Sequence, residues 1–379
     1  MSNLPDMPPS LRQPAPGLLC YCRAGFEPEL AAELGERAAQ VGHHGHVRAG
    51  RGDGYVLWFD DTALDSPAPG SATDSSSGLT RALPWRELIF ARQKLRLLAE
   101  LRDMDPRDRI TPILAALAAF AGPQPHYGEL WVEHPDSDTG KPLSGLARSF
   151  GNALRPALRQ AGILTARDDP ARARLHLCFV AGNHALLADS DPRDSAPWPL
   201  GIPRLKIHPD APSRSALKLE EALLVLLDDH ERATLLRPDM RAADLGAAPG
   251  GWTWVLLRHG LQVVAIDNGP LRPHLLDSGR VEHLRVDGFG WQPPRPLDWM
   301  VCDMVEQPRR VAARMAQWFA EGWCRHAVFN LKLPMKKRWQ ETQTCLQLFA
   351  QQAQRPLTIR ARQLFHDREE ITVYVGPCS

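Results

Sequence analysis

No apolar run in the chain approaches the roughly 20 residues needed to span a bilayer. Its first residues, Met1-Ser2-Asn3-Leu4-Pro5-Asp6, lack the basic and then apolar blocks of a signal peptide. A membrane partner is therefore not expected, and the chain is read as cytoplasmic. An excess of one charge sign is also missing: 45 Lys and Arg face 44 Asp and Glu, a formal net charge of +1. No global field marks a nucleic-acid partner, so any such surface has to be local. The seven cysteines are odd in number and sit mostly among apolar residues, which predicts reduced, buried thiols. Cys20 and Cys22 alternate along a predicted strand, but no Cys or His pair follows at zinc-ligand spacing. His43, His44 and His46 likewise have no carboxylate or cysteine spaced to complete a metal site, and read as a solvated loop. No metal is expected.

What is present is ordinary globular composition, 44% apolar over 379 residues, enough for two or three domains. A Pro-rich and polar stretch from Met1 to Pro16 predicts a loose tail. Leu18 to Cys22 reads as a strand, Glu27 to Ala39 as a helix and Gly54 to Phe59 as a strand, a βαβ-type unit. The Ser, Asp and Pro-rich segment Asp65 to Gly78 predicts an exposed loop. A second unit starts an ordered stretch at Trp85 to Ala91, then gives a helix from Ile110 to Ala121, strands over Glu129 to Glu133 and Leu175 to Val180, and a basic amphipathic helix from Leu143 to Ala161. Pro197 to Pro212 reads as a linker. Beyond it a helix (Leu217 to Leu227) leads into alternating strands and helices, with two closing strands at Thr358 to Leu364 and Ile371 to Val375. That alternation predicts an α/β, mostly parallel sheet with an antiparallel edge. The expected domains are 1–80, 81–197 and 198–379.

The last of these is organised around Ala242 to Trp252, a short strand, a glycine-rich turn and a helix start. Gly246, Gly250 and Gly251 predict a turn that lets a nucleotide-type cofactor approach bare backbone. Charged residues end the neighbouring strands, where a doubly wound sheet binds ligands. Asp267 suits a ribose diol, with a solvated turn before Asn268-Gly269-Pro270 as its plainer reading. Asp287 suits an adenine amino group. Lys332 must find counter-charges or solvent; Asp303 and Glu370 are the predicted partners, and Lys218 adds a second cation. Two adjacent lysines are expected to depress each other's pKa, giving an amine able to take a hydroxyl proton near neutral pH. A salt-bridge cluster on the sheet rim is the plainer alternative.

Lys218, Asp303, Lys332 and Glu370, in that order around Asp244-Leu245-Gly246-Ala247-Ala248-Pro249-Gly250-Gly251-Trp252, resemble the Lys-Asp-Lys-Glu tetrad of the RrmJ/fibrillarin-like S-adenosylmethionine-dependent RNA ribose 2′-O-methyltransferases. Ser213 to Ala222, Asp267 to Pro270, Val301 to Glu306, Asn330 to Arg338 and His366 to Glu370 extend the likeness across the C-terminal domain. The N-terminal half is similar in layout to a ferredoxin-like and THUMP region. One departure is Ala248, where such enzymes often carry cysteine before Pro-Gly-Gly; the position contacts through backbone, so little should change.

The resemblance implies a Rossmann-like class I methyltransferase domain using S-adenosyl-L-methionine. Ser215, Ala248, Pro249, Gly250, Gly251, Asp267, Asp287 and Asp303 would be its contacts. It further implies Lys332 as general base on a cytidine 2′-hydroxyl of 23S ribosomal RNA, positioned by Lys218, Asp303 and Glu370, in a protein expected to be a monomer. Strand alternation alone does not choose Glu370 over Glu369. Lys336, Lys337 and Arg338 offer phosphate contacts, which Arg148, Arg155 and Arg159 would extend. The competing readings are a small-molecule methyltransferase, which has no need of two lysines, and a catalytically inactive RNA-binding protein, against which the complete tetrad argues. For the N-terminal half, a dimerisation or purely structural role is the alternative.

Overall fold

Leucine-rich and alternating apolar runs along the chain fold into two seven-stranded sheets, one in each of the units Met1–Ile202 and Pro203–Ser379. The computed structural model describes residues 17–61, 78–118 and 126–378. The predicted tail, nearly all of the loop from Asp65 and the end of the helix beyond Ala118 lie outside the described residues.

The first sheet comprises β1 (Gly17–Tyr21), β2 (Gly45–Arg48), β3 (Tyr55–Asp60), β4 (Gln93–Leu101), β5 (Glu129–Glu133), β6 (Arg174–Ala181) and β7 (His184–Ser190), in the order β2-β3-β1-β4-β7-β6-β5. The apolar β1 is buried throughout and pairs antiparallel with both β3 and β4. The expected βαβ-type unit is thus corrected: β3 returns beside β1 in the opposite sense after a hairpin with β2. β2 takes in His46, while His43 and His44 lie in the loop before it; His43 Nδ1 meets Asp60 at 2.7 Å and His46 Nδ1 meets Asp61 at 3.0 Å. Among the described residues no group of His, Cys, Asp or Glu is arranged to hold a metal.

β4 escapes a pattern reading because Lys94 and Arg96 interrupt its apolar run. Both are satisfied inside the fold, Lys94 by Asp194 and by the Leu83 carbonyl at 2.6 Å, Arg96 by Asp189 at 2.8 Å. Helices α1 (Glu27–Gln40), α2 (Ile110–Ala118) and α3 (Ser144–Gln160) accompany this sheet. Leu154 and Leu158 of α3 and Ile113 of α2 join Leu130, Leu175, Leu177 and Leu187 in one buried cluster. A polar knot crosses the same unit. Fully buried His176 bonds Glu133 through Nδ1 at 2.9 Å and Ser190 through Nε2 at 3.0 Å, while Glu133 also accepts the Tyr21 hydroxyl and the Leu200 amide.

The second sheet holds β8 (Arg241–Leu245), β9 (Gln262–Ile266), β10 (Val281–Leu284), β11 (Leu297–Cys302), β12 (Cys324–Lys332), β13 (Leu357–Arg362) and β14 (Glu370–Pro377). Its order is β10-β9-β8-β11-β12-β14-β13, parallel through the first five strands and antiparallel at β14. The chain builds outward from β8 to β9 and β10, then resumes on its other side at β11. The crevice beyond the ends of β8 and β11 is therefore the switch point at which such sheets bind ligands.

Helices α4 (Ala216–Leu226), α5 (Asp229–Leu235), α6 (Gly251–Arg258), α7 (Pro273–Leu276), α8 (Pro308–Ala320) and α9 (Arg338–Ala353) complete the unit. α9 mixes its apolar residues with Gln and Thr, which hides it from a pattern reading. It buries Trp339, Thr342, Cys345, Phe349 and Ala353 at helical spacing, and Phe349 sits 5.7 Å from Phe319 and 5.8 Å from Phe329, ring to ring.

Candidate active site

The turn after β8 is held from beneath. Asp244, 1% exposed, accepts the Thr253 hydroxyl at 2.6 Å; burial pushes its carboxyl up to about 7, against the pull of the Thr253 hydrogen bonds. Gly246 and Gly250 take φ of 77° and 110°, which side chains rarely adopt. A Cβ at Gly246 would meet the Met304 side chain, at Gly250 that of Leu275, and at Gly251 the Ser215 hydroxyl. The glycines thus admit the protein's own neighbours, and Gly246 also lines the cavity beside the turn.

A cavity of about 530 Å³ opens beside the turn, and Gly246, Ala248, Asp267, Asp287, Phe289 and Asp303 are among its walls. Asp267 ties its two loops together, accepting the Ala248 amide at 2.9 Å and the Gly269 amide at 2.7 Å. Asp287, on the loop after β10 rather than at the strand end, accepts the Phe289 amide at 3.0 Å. Ser215, Pro249, Gly250 and Gly251 are not among the cavity walls. Ser215 instead bonds Ser213 at 2.7 Å and accepts the Trp252 indole at 3.0 Å, fixing the start of α4 to the start of α6. Four acidic walls, Asp267, Asp287, Asp303 and Glu306, stand against Arg310, which Glu306 already pairs. This set of acceptors suits a nucleoside that carries hydroxyl donors and positive charge. A pyrophosphate would be repelled, which disfavours a dinucleotide.

At the inner edge of the cavity Asp303 opens onto a closed square of charge. Lys332 Nζ donates to Asp303 at 2.9 Å and to Glu370, and Lys218 Nζ meets Asp303 at 3.2 Å and Glu370 at 2.5 Å. The sheet register sets this up: β14 runs antiparallel to β12, so its first residue Glu370 lies directly opposite Lys332. Glu370 is buried at 3% exposure, whereas Glu369 turns to Arg338; of the two, Glu370 is the one in the square. Burial alone would lower the Lys332 pKa, but Asp303 and Glu370 outweigh it and push it up to about 12. The predicted depression of Lys332 is therefore corrected: its Nζ faces two carboxylates, and their attraction exceeds the cost of burial. Asp303 in turn is held below the usual carboxylate range, since Lys218 and Lys332 overcome the cost of its burial.

Sequence reasoning missed the support behind the square. Asn330, fully buried, donates to Asp303 at 2.8 Å and accepts the Thr372 hydroxyl at 2.7 Å, and the two face each other across β12 and β14. Glu221 of α4 accepts the amides of Phe365 and His366 and bonds His366 Nδ1 at 2.6 Å, fixing the turn that leads to Glu370. The spacing of Asn330 two residues before Lys332, on the same strand face, was the available signal. Of the basic residues, Lys336, Lys337 and Arg148 are exposed. Arg338 is buried against Glu369, and Arg155 and Arg159 turn to Asp168 and to the carbonyls of Leu130 and Thr165.

Comparison with known proteins is consistent along the chain. Residues 15–95 match the model described as the RlmM ferredoxin-like domain. Residues 108–191 match that of ribosomal RNA large subunit methyltransferase M, N-terminal, and residues 211–352 that of FtsJ-like methyltransferase. Among solved structures, TrmN from Thermus thermophilus is a distant likeness, at 15% identity with a TM-score of 0.33, over 96% of this chain and 100% of its own. Proteins named ribosomal RNA large subunit methyltransferase M are far nearer. That of Xanthomonas campestris pv. campestris (strain B100) is 67% identical, covering 94% of this chain and 98% of its own. That of Xanthomonas oryzae pv. oryzae (strain KACC10331 / KXO85) is 66% identical over the same shares. At that identity and coverage, the chain belongs to the ribosomal RNA large subunit methyltransferase M family.

Proposed function

We propose that this chain methylates the ribose 2′-hydroxyl of a cytidine in 23S ribosomal RNA, using S-adenosylmethionine, as a cytoplasmic monomer. The observation that carries the reading is the Lys218–Asp303–Lys332–Glu370 square, closed on itself yet sharing Asp303 with the acidic cavity. Residues 1–80 and 81–197 enter the proposal as a ferredoxin-like unit and a THUMP-like RNA-binding unit.

When bound, S-adenosylmethionine supplies an electrophilic methyl on a positively charged sulfur. The chain's own residues do the remaining work. Asp267 accepts from a ribose diol, and Asp287 with Phe289 borders the base. Lys218, Asp303 and Glu370 hold Lys332 where a ribose hydroxyl can meet its Nζ. With two ammoniums and two carboxylates the square is neutral, so Lys332 rests protonated. Asp303 faces both the cavity and Lys332; positive charge in the cavity competes for that carboxylate and favours loss of the Lys332 proton. As the amine, Lys332 would take the hydroxyl proton, so that the ribose oxygen could accept the methyl that S-adenosylmethionine would supply, the carbon–sulfur bond breaking with its electron pair left on sulfur. Exposed Val305 lines the cavity, and Met335, Lys336 and Lys337, all exposed, follow Lys332 in the chain, apolar and cationic surfaces suited to single-stranded RNA.

Labelled S-adenosylmethionine and an unmodified 23S transcript test the proposal. Nuclease digestion should return the label on a cytidine ribose. Label on a base, or efficient transfer to small hydroxyl compounds with none to RNA, would overturn it.

A further inference from the structure

A second cavity, of about 600 Å³, lies along α8 and shares Phe289 and Arg310 with the acidic one. Its chemistry is the opposite. Phe289, Arg310, Arg314, Gln317 and Gln352 are among its walls, and none of its walls is acidic.

Arg314 is the telling residue. It is 8% exposed, and its guanidinium is fixed by neutral acceptors alone: Gln317 at 2.6 Å and the Trp291 carbonyl at 2.6 Å. Its Nε has no hydrogen-bond partner, and its Cζ lies 5.2 Å from the Trp323 ring centre. Among the described residues no carboxylate forms an ion pair with it, although burying a guanidinium without a counter-ion is costly. Burial lowers its pKa, with Asp287 opposing. One helical turn away, Arg310 lies over Phe289 at 5.2 Å from the ring centre, its own charge met by Glu306 at 2.7 Å. A rigid cation with no ion-pair partner among the described residues, a second cation and an aromatic face in a cavity of this size match a nucleotide: an anionic phosphate with a flat base.

We infer that this cavity binds a phosphate of the substrate RNA strand between Arg310 and Arg314, with the attached base against Phe289. The inference rests on the RNA-methylation reading. It assigns the acidic cavity to the cofactor and the basic one, across Phe289, to a nucleotide of the RNA away from the methylated ribose. RNA is favoured over a free nucleotide because the cavity continues from one that faces the reacting groups.

Gln317→Glu tests this with little disturbance, since the exposed, near-isosteric side chain places a carboxylate on Arg314 and supplies the missing counter-ion. Gln352→Glu repeats the change from α9, and Gln262→Glu, at the exposed start of β9, controls for general charge. Methyl transfer to RNA by the full chain should show KM for RNA raised about 10-fold by Gln317→Glu and Gln352→Glu, with kcat and S-adenosylhomocysteine affinity kept. Gln262→Glu should change KM less than about 2-fold. Equal effects of all three substitutions, or none from the first two, would overturn the inference while leaving the methylation reading intact. Absence of transfer by the wild-type chain would instead overturn the reading beneath it.

Discussion

Each unit of the molecule buries a cluster of ionisable groups, and the two differ in where the sheet puts them. Glu133, His176 and Ser190 lie on the neighbouring strands β5, β6 and β7 and Tyr21 on β1 of the same mostly antiparallel sheet, each at most 6% exposed, and their hydrogen bonds run among themselves and to Leu200. Lys218, Asp303, Lys332 and Glu370 stand at strand ends beside the switch point, the two lysine side chains 17% and 25% exposed, with Asp303 opening on a cavity. A sealed knot can only hold the fold together. A rimmed one can exchange protons with a ligand. Both clusters satisfy their charges internally, so location rather than pairing separates structure from chemistry.

The comparison can be broken at several points, of decreasing expected effect. Lys332→Ala should lower methyl transfer by about 10³-fold while costing less stability than the loss of Glu133, because Lys218 still pairs both Asp303 and Glu370, read from single-turnover assays and urea melts on one preparation. Glu133→Ala should do the reverse. It strands His176, the Tyr21 hydroxyl and the Leu200 amide, costing about 3–5 kcal/mol, while transfer per folded molecule stays the same. Burial works against the Glu133 carboxylate, but His176 and its hydrogen bonds hold it below the usual range. Its contribution is therefore present above the unfolded-state pKa and is lost as pH falls through the lower folded one, so acid melts should be sharper in wild type than in the variant.

Asn330→Ala should cost about 10- to 100-fold in kcat, with KM for RNA unchanged, because Asp303 loses its orienting donor. Asn330→Asp should not rescue it, since that side chain no longer donates. The smallest effect concerns Asp244. Its folded pKa of about 7 exceeds the unfolded value, so it favours the fold at low pH and opposes it increasingly as pH rises from about 4 to 7. Asp244→Asn should remove that decline and stabilise the ligand-free protein by on the order of 1 kcal/mol at pH 8.

The strand ends carrying the site were legible because apolar runs closing on single charges are a strong pattern: Asp267 after Val263-Val264-Ala265-Ile266, Asp303 after Met300-Val301-Cys302, Lys332 after Phe329-Asn330-Leu331. The antiparallel edge was legible as well, but not the register that sets Glu370 opposite Lys332 and so separates it from Glu369. β4 and α9 were hidden because tertiary partners, not local pattern, satisfy Lys94, Arg96 and Arg338. The close approach of Met304 to Gly246, from some sixty residues on in the chain, was not legible for a similar reason. The basicity of Lys332 was misjudged because a sequence shows which charges are near, not that each lysine would meet two carboxylates.

Lys332 rests as an ammonium and must give up its proton before it can take one from the ribose. Single-turnover methyl transfer at saturating cofactor and RNA tests it directly. The rate should rise about tenfold per pH unit from roughly pH 7 to 9, and the slope should vanish in the residual activity of Lys332→Ala. A rate independent of pH over that range in the wild-type protein, with chemistry shown to be limiting, would contradict the account.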